Sequence, residues 1–385
     1  MSKPRLLFHV QHMLGIGHRV RAERIAAACV DAGFDVTLME GGVPGQVPGG
    51  DQARGVTRVQ LPPAKAADAA FSGVVDADTG APIDEAWRAR RAAATLETLA
   101  AARPDVVLIE GFPFARRAFR FELLPLVERA RARGARTAVS IRDILVERAD
   151  RRKNAEIAEI ARCLFDRVLV HGDPGFAQLA DSFSATPVVA DRVCYTGIVS
   201  PSAPTAPADG AGDVVVSAGG GATGGALSRA AVAARGRSRL SDRRWRILVG
   251  PNLPDADRAA LKDVPTGIVV EPARQDFTAL LAVAAVSVSQ AGYNTVADLA
   301  VTGCPAVLVP FAGPTGQETE QPTRARLMRA AGRAVTVSEA TLTPDTLAAA
   351  VDRAAEMGRA SGTLYRVGGG ARTAAALRAL LEAGS

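Results

Sequence analysis

The sequence predicts an α/β protein built from two doubly wound, Rossmann-like halves, and three observations carry that prediction. Short apolar, β-branched runs alternate with amphipathic stretches of helical length through both halves, and the runs end in glycine or polar residues, as parallel strands with helical crossovers require. The chain's 385 residues exceed one typical domain and suit two of about 100–200 residues each. A Pro/Ala/Gly-rich stretch, Ser200–Asp213 (SPSAPTAPADGAGD), separates the halves, and a strand, a glycine-rich turn and a helix restart after it. The expected layout is a first domain over 1–199, a linker over 200–212, a second domain over 213–365 and a closing helical segment over 366–385.

With 48% hydrophobic and 22% charged residues, the chain has material for two packed cores and reads as a soluble globular protein. Only 4% is aromatic, so Ala, Val and Leu must do most of the packing. The net charge of +6 raises nucleic acid or an anionic membrane surface as partners. Yet the arginines are spread among Asp and Glu on the predicted helix faces, and no recognition motif or aromatic–basic platform occurs. Nucleic acid is therefore not expected as a partner, whereas phosphate-bearing substrates fit a mild basic excess. Cys29, Cys163, Cys194 and Cys304 show no CxxC spacing and lie in apolar surroundings, which predicts buried free thiols in a reducing compartment. Lys3 and Arg5 lead straight into a short strand with no apolar signal segment, and no run of about 18 apolar residues follows. The expectation is a cytoplasmic protein, at most peripheral to a membrane.

Arg5–Val10 is the first expected strand, Gln11–Gly17 the loop past its carboxyl end, His18–Ala32 a helix closed by Gly33, and Val36–Met39 the next strand. This is a βαβ opening, with ligands expected where the first strand ends. The loop holds Gly15 and Gly17, but Val20 stands where a dinucleotide fingerprint needs glycine. It reads as a flexible loop presenting His18 at a helix start, where the helix N-terminus lowers the imidazole pKa and keeps it neutral and able to accept a proton. The alternative is an ordinary helix residue. His9 and His12 have HxxH spacing without an evident third ligand, so no metal site is expected. His9 reads as core and His12 as lining the binding edge.

Residues 41–80 are rich in Gly, Pro, Asp and Ala, with one expected strand at Val56–Leu61. Asp76–Ala77–Asp78, like Asp255–Ala256–Asp257, matches a DxD metal-binding pattern but reads as a solvated turn. A helix over Asp84–Ala102 precedes a strand at Val106–Ile109, and the next helix begins near Ala115 with Arg116 and Arg117. Glu110, at that strand's carboxyl end, is placed to orient an acceptor hydroxyl or polarise His18, or else it caps a helix. Strands at Thr137–Ile141 (ending in Arg142–Asp143), Val168–Val170 (ending in His171) and Val193–Gly197 complete the half. Its strands thus end in polar residues at one edge.

In the second half, Val214–Ser217 runs into Ala218-Gly-Gly-Gly-Ala-Thr-Gly-Gly before a helix. No Lys-Ser/Thr follows, so this is not a Walker loop, but Gly219, Gly220 and Gly221 can wrap a diphosphate with backbone N–H groups. Strands at Arg246–Val249 and Ile268–Val270 and a helix over Thr278–Ala285 lead to the densest signal, SVSQAGYNTVADLAVTGCPAVLVPFAGPTGQETEQPTRARL over Ser287–Leu327. A buried strand at Val283–Ser289 precedes a turn where Gly292 permits close backbone approach. Thr295 as N-cap, with Asp298 three residues on, starts a helix to about Thr302. Gly303 ends it, Ala306–Pro310 is a strand, and Glu320 and Gln321 precede another helix. A helix N-terminus at a strand's carboxyl end favours phosphate, and an acid one turn later can accept from ribose hydroxyls. These parts either hold a nucleoside diphosphate or serve only as turn and cap. After Leu342 come a helix, a break at Gly368–Gly370 and a last helix over Thr373–Ala383.

The block SQAGYNTVADL…GCPAVLVPF…EQPTRARLM…AG resembles the C-terminal donor-binding half of the MurG-like glycosyltransferases, the glycosyltransferase family 28 C-terminal type. With the GIGH start, the chain is similar also to a bacterial group of predicted glycosyltransferases. The resemblance implies the GT-B fold, two Rossmann-like domains facing across a cleft. The first domain would bind the acceptor and the second a nucleotide-sugar, with the last helix packing back on the first. It implies donor contacts from Gly219, Gly220, Gly221, Arg274, Gly292, Asn294, Thr295, Asp298, Glu320 and Gln321. The family acid is usually Glu, and Asp298 is one methylene shorter. Related loops carry Gly-Gly-His or Gly-x-Gly-His, which makes His18 the expected catalytic base with Glu110 as helper, and Gly15, Gly17, His12, Arg116 and Asp143 the acceptor side.

The implied activity is inverting transfer from a UDP-linked sugar to a small-molecule, glycan or lipid-linked acceptor, with no cofactor and no metal. Two alternatives stand beside it. Nucleotide-sugar hydrolases of the pseudaminic-acid pathway share a GxGHxxR loop, here Gly15-Ile-Gly-His18-Arg-Val-Arg21. A non-catalytic nucleotide-sugar-binding protein is the other.

Overall fold

The computed structural model describes residues 3–13, 15, 17–45, 53–68, 73–146, 150–204, 209–219, 223–313, 316–362 and 364–383. These fall into two units, one holding the chain up to residue 199 together with the last helix from 368, the other holding 200–367.

The first unit runs β1 (Arg5–Val10), α1 (Gly17–Asp31), β2 (Asp35–Glu40), β3 (Val56–Gln60), β4 (Ala64–Ala66), β5 (Val74–Asp76), α2 (Glu85–Ala102), β6 (Val106–Glu110), α3 (Arg120–Ala132), β7 (Arg136–Arg142), α4 (Arg151–Leu164), β8 (Arg167–His171) and β9 (Val193–Tyr195). Seven of these strands make one parallel sheet in the order β3-β2-β1-β6-β7-β8-β9, so the order reverses between β1 and β6. Side chains alternate between the faces of a strand. Leu7, Val107, Ile109 and Val139 therefore pack under α2, α3 and α4, while Leu6, Phe8, Leu108 and Leu169 pack in the opposite layer with α1. Asp84 starts α2 by accepting from the Trp87 N–H at 2.7 Å, and Asp150 starts α4 in the same way through Arg152 and Lys153.

The second unit runs β10 (Val214–Ser217), α5 (Gly225–Ala234), β11 (Trp245–Val249), α6 (Asp255–Ala259), β12 (Ile268–Pro272), α7 (Phe277–Val283), β13 (Val286–Ser289), α8 (Tyr293–Thr302), β14 (Ala306–Leu308), α9 (Glu320–Ala330), β15 (Val335–Thr336) and α10 (Pro344–Met357). Its six parallel strands lie in the order β12-β11-β10-β13-β14-β15, and this order reverses between β10 and β13. Valines and isoleucines of β10, β11, β13 and β14 meet Leu227 and Ala231 of α5 and Leu347 and Val351 of α10 in a core of small aliphatic side chains. Both units are thus doubly wound and Rossmann-like, as the alternating pattern predicts.

The last helix, α11 (Gly369–Glu382), belongs to the first unit and lies against α1 through Ala374 and Leu377. Its start touches the chain after β9: the Gly369 N–H donates to the Ile198 carbonyl at 2.8 Å. A Cβ at Gly369 would run into the Gly197 carbonyl oxygen, which is backbone and cannot turn aside. Gly369→Ala is expected to cost about 1–3 kcal/mol through this overpacking. Urea unfolding checks it, and an unchanged midpoint would refute the docking.

Several local expectations change. α8 starts at Tyr293, with Gly292 as its N-cap and no capping side chain, so Thr295 and Asp298 form no capping box. Tyr293 is buried beneath Arg324, whose guanidinium lies 5.9 Å from the ring centroid, and that packing moves the N-cap three residues upstream, from Thr295 to Gly292. The segment at Arg116–Arg117 is not yet α-helix: a 3-10 turn spans Arg117–Phe119 before α3. Asp255 and Asp257 open α6 instead of forming a solvated turn, and Asp257 is ion-paired with Arg229. Cys163 is exposed on α4 and Cys194 half-buried, whereas Cys29 and Cys304 are buried; all four are free. The β4–β5 hairpin and α4 go beyond the sequence expectations. None of the described helices is long and apolar enough to cross a membrane.

Candidate active site

In a doubly wound sheet, ligands bind at the carboxyl ends of the strands where their order reverses. In the first unit that point lies between β1 and β6. Beyond β1 come Gln11, His12 and the Gly15–Gly17 loop, and α1 begins at Gly17, which puts His18 in its first turn. β6 ends on Glu110, whose register partner on β7 is Ser140. Glu110 is 1% exposed and collects three donors. Its Oε1 faces Nδ1 of His18 at 2.9 Å and also receives Nη2 of Arg21, and its Oε2 accepts from Ser140 Oγ at 2.6 Å. Burial alone would raise the Glu110 pKa, but the Arg21 guanidinium, with His18 and Ser140, holds it far below the usual carboxylate range.

That carboxylate decides the His18 tautomer. Nδ1 has the accepting carboxylate at 2.9 Å and the donor-only Nη2 of Arg21 farther off at 3.3 Å, and that nitrogen spends its hydrogen on Glu110 Oε1. The closer carboxylate assigns the proton to Nδ1, pointing at Glu110, and Nε2 keeps its lone pair. The His18 side chain is 15% exposed. Its pKa lies well below the ordinary value chiefly because of burial, and then because of the Arg116 and Arg142 charges. The neutrality expected of this histidine thus has desolvation as its main cause.

Around this pair, His12 is buried, and burial with the Arg19 and Arg116 charges pushes its pKa down to about 4. Its ring fills the space that a Cβ on Gly42 would take. Arg116, in the left-handed region at φ 59°, donates Nε to the Gln11 carbonyl at 2.6 Å, and burial lowers its pKa to about 10. Gly15 has open space around it. Asp143 is buried at the end of the β7 segment, where its Oδ1 accepts from the Ile144 N–H at 2.9 Å. His9 is fully buried, as a core residue should be, 3.5 Å from Glu122, which is paired with Arg91.

Sequence reading alone did not find Arg21 and Ser140 as partners of Glu110. Arg21 is signalled only as the last residue of the GxGHxxR loop, three residues from His18 and hence on the same helix face. Removing it should leave a buried carboxylate without its counter-charge. Arg21→Met is expected to destabilise the first unit by about 3–5 kcal/mol. Scanning calorimetry tests this, and a melting temperature within a degree of wild type would contradict it.

In the second unit the reversal lies between β10 and β13. Gly219 follows β10, exposed and at φ 74°, its N–H reaching Ser217 Oγ at 3.3 Å; Gly220 and Gly221 lie outside the described residues. Gln290 after β13 donates Nε2 to Thr223 Oγ1 at 3.1 Å, which joins the two strand-end loops. α8 begins at the carboxyl end of β13, with Gly292 as its N-cap and Tyr293, Asn294 and Thr295 in its first turn, the kind of helix start that favours an anion.

The acids and amides expected around that end are braced from within the unit. Asp298 is buried and accepts from Thr278 Oγ1 at 2.9 Å. Glu320, at the start of α9, is buried and takes Nη2 of Arg324 at 2.8 Å, while Arg324 Nη1 donates to the Ala291 carbonyl at 2.8 Å. α9 is thereby tied to the turn preceding α8. Gln321 Oε1 accepts from the Phe311 N–H at 3.1 Å. Arg274 is bound by Asp276 at 2.6 Å and Asp209 at 2.7 Å, and these carboxylates raise its pKa. Gly292, Asn294, Thr295 and Asp298 share one turn and its helix, while Arg274 is drawn toward the segment preceding β10.

Comparison with known proteins bears on the fold and on the second unit. Residues 214–364 match the glycosyltransferase family 28 C-terminal domain. The UDP-N-acetylglucosamine–N-acetylmuramyl-(pentapeptide) pyrophosphoryl-undecaprenol N-acetylglucosamine transferase of Methylobacterium radiotolerans is 39% identical over 83 residues, 22% of this chain and 22% of that protein. The enzyme of the same name from Allorhizobium ampelinum is 27% identical over 269 residues, 68% of this chain and 65% of that one. The chain therefore spans about a fifth of the first relative's length and just under two thirds of the second's. Among solved structures, Acinetobacter baumannii MurG superposes with a TM-score of 0.57 at 15% identity, covering 98% of this chain and 100% of that one, a likeness of fold. Residues 214–364 thus match a glycosyltransferase family 28 C-terminal domain, and the whole chain shares the fold of Acinetobacter baumannii MurG.

Proposed function

We propose that the protein transfers a sugar, with inversion and without a metal, from a UDP-linked donor to an acceptor hydroxyl or amine. The observation that carries this reading is the His18–Glu110 pair, in which Nδ1–H is committed to the carboxylate and Nε2 is left to take a proton. The acceptor oxygen or nitrogen attacks the anomeric carbon as the bond to the donor diphosphate breaks. The acceptor's proton goes to Nε2 of His18, and the diphosphate leaves with the bonding electrons. The helix start of α8, at the carboxyl end of β13, is assigned to that developing charge. Asp298 and Glu320, braced by Thr278 and Arg324, are assigned to the ribose and sugar hydroxyls. The relatives' names specify an undecaprenol-linked acceptor, and a lipid-linked acceptor met at the cytoplasmic face of a membrane is the corresponding assignment here.

Calorimetric titration with UDP in EDTA, beside TDP, GDP and ADP, tests the donor side. Selective metal-free UDP binding is expected, weakened about tenfold in Asp298→Ala by the loss of one ligand hydrogen bond. Failure of every nucleoside diphosphate to bind would sink the reading. The contact of Arg21 with Glu110 keeps one alternative in view, because Arg21 completes the GxGHxxR loop shared with nucleotide-sugar hydrolases. Release of free sugar at a rate indifferent to added acceptors would select that activity.

A further inference from the structure

The carboxylate that holds His18 is itself held, and the groups behind it admit one consistent placement of hydrogens. Ionised Glu110 can only accept, so the Ser140 hydroxyl spends its proton on Oε2 at 2.6 Å. The Ser140 oxygen then needs a donor at 2.7 Å, which makes Nε2 the protonated nitrogen of His171. His171 is fully buried, and burial together with the Arg21 charge pushes its pKa down to about 3, so it is neutral and Nδ1 is bare. Thr196 Oγ1 donates to that nitrogen at 2.8 Å, a shorter contact than those to the Gly197 and Val170 carbonyls at 3.2 and 3.4 Å. The Thr196 carbonyl in turn takes Nε of Arg372, on α11, at 2.6 Å.

We propose that Ser140, His171 and Thr196 form a positioning relay that locks the Glu110 carboxylate in the plane receiving Nδ1–H of His18, and so keeps Nε2 of His18 the proton-accepting atom. The physical reason is the last torsion of glutamate, which is broad and has no intrinsic preference strong enough to fix the carboxylate plane. His18 and Arg21 both hold Oε1, and Ser140 is the hydroxyl anchor on Oε2. Which ring nitrogen of a histidine carries the proton is set by the hydrogen bond of the other. If the carboxylate turns, Nδ1–H loses its acceptor and the proton can pass to Nε2, which abolishes the base. A purely structural role, satisfying buried polar groups in the core, would leave His18 unaffected.

The inference rests on the reading of His18 as the base, and the test separates the two. Long-range 1H–15N spectra of the full chain, which has four histidines, report the tautomer of each ring. The wild type is expected to show Nε2–H for His171 and Nδ1–H for His18 at neutral pH. In Ser140→Ala the His18 signature should move toward Nε2–H, and Ser140→Thr, which keeps the hydroxyl, should restore it. Thr196→Val is nearly isosteric and carries the same test should Ser140→Ala fail to fold: His171 becomes a tautomer mixture and His18 follows in part. A His18 signature unmoved in a folded Ser140→Ala or Thr196→Val protein overturns the relay. A wild-type His18 already in the Nε2–H form overturns instead its assignment as base, a failure visible without any variant.

Discussion

His18→Gln is expected to lower turnover by about 10²–10⁴-fold, the range of a lost general base, while UDP binding in the second unit stays at its wild-type strength. Glutamine keeps a donor that can reach Glu110 but has no group that takes up a proton near neutrality. The loss should therefore fall on kcat and spare KM for the donor. The pH profile adds a second check with a definite sign. Transfer needs neutral His18, and burial with the Arg116 and Arg142 charges holds its pKa well below the ordinary 6.5. The rate should hold steady as pH falls past the usual histidine range and drop only at lower pH. A His18→Gln enzyme with wild-type turnover, or a base limb at or above the ordinary histidine pKa, would remove His18 from the mechanism.

The second large effect is acid unfolding of the first unit, beginning near the ordinary histidine pKa and not in the carboxylate range. His12, His18 and His171 all have depressed pKa values, with burial as the leading cause: about 4 for His12, about 3 for His171 and a value well below 6.5 for His18. Each is neutral when folded and charges on unfolding below about 6.5. The unfolded chain then binds more protons, so the stability these groups contribute is complete above that pH and is lost as pH falls toward the folded values.

With three such groups the slope approaches about 4 kcal/mol per pH unit, against a typical total of roughly 5–15 kcal/mol. Glu110, held low by Arg21, adds loss in the same direction once pH falls below its ordinary range. Urea midpoints followed by circular dichroism from neutral to mildly acid pH measure this. A flat midpoint across the window from 6.5 to 5 would mean that these rings are not held neutral. His12→Phe removes one titrating ring and should reduce the slope by about a third.

The two-unit α/β plan, and the edge at which the strands of each unit end, were legible in the sequence alone. Apolar runs such as RLLFHV and VVLIE can satisfy their backbone and bury both faces only as central parallel strands, and such strands put the residues that follow them at one edge. His12, His18 and Glu110 could be read in this way, because each stands just past or just inside the end of a strand or the start of a helix. So could the acid and amide cluster of the family 28 half, from the density of its motif. Local rules failed at the start of α8, where Thr295 and Asp298 satisfy a capping pattern but buried Tyr293 under Arg324 begins the helix earlier.

Which polar groups meet is set in three dimensions. Ser140 sits mid-strand in Arg136–Arg142, where nothing local marks it, and it matters because parallel pairing puts it beside Glu110. His171 and Thr196 are 25 residues apart and meet because β8 and β9 are neighbours. The neutrality of His18 likewise depends on burial and on the guanidiniums of Arg116 and Arg142 from two other segments, a sum of desolvation and charge that no window of sequence contains. Periodicity is a local property and survives in one dimension. Hydrogen-bond direction, tautomer and pKa are set by through-space neighbours, and they exist only once the chain has folded.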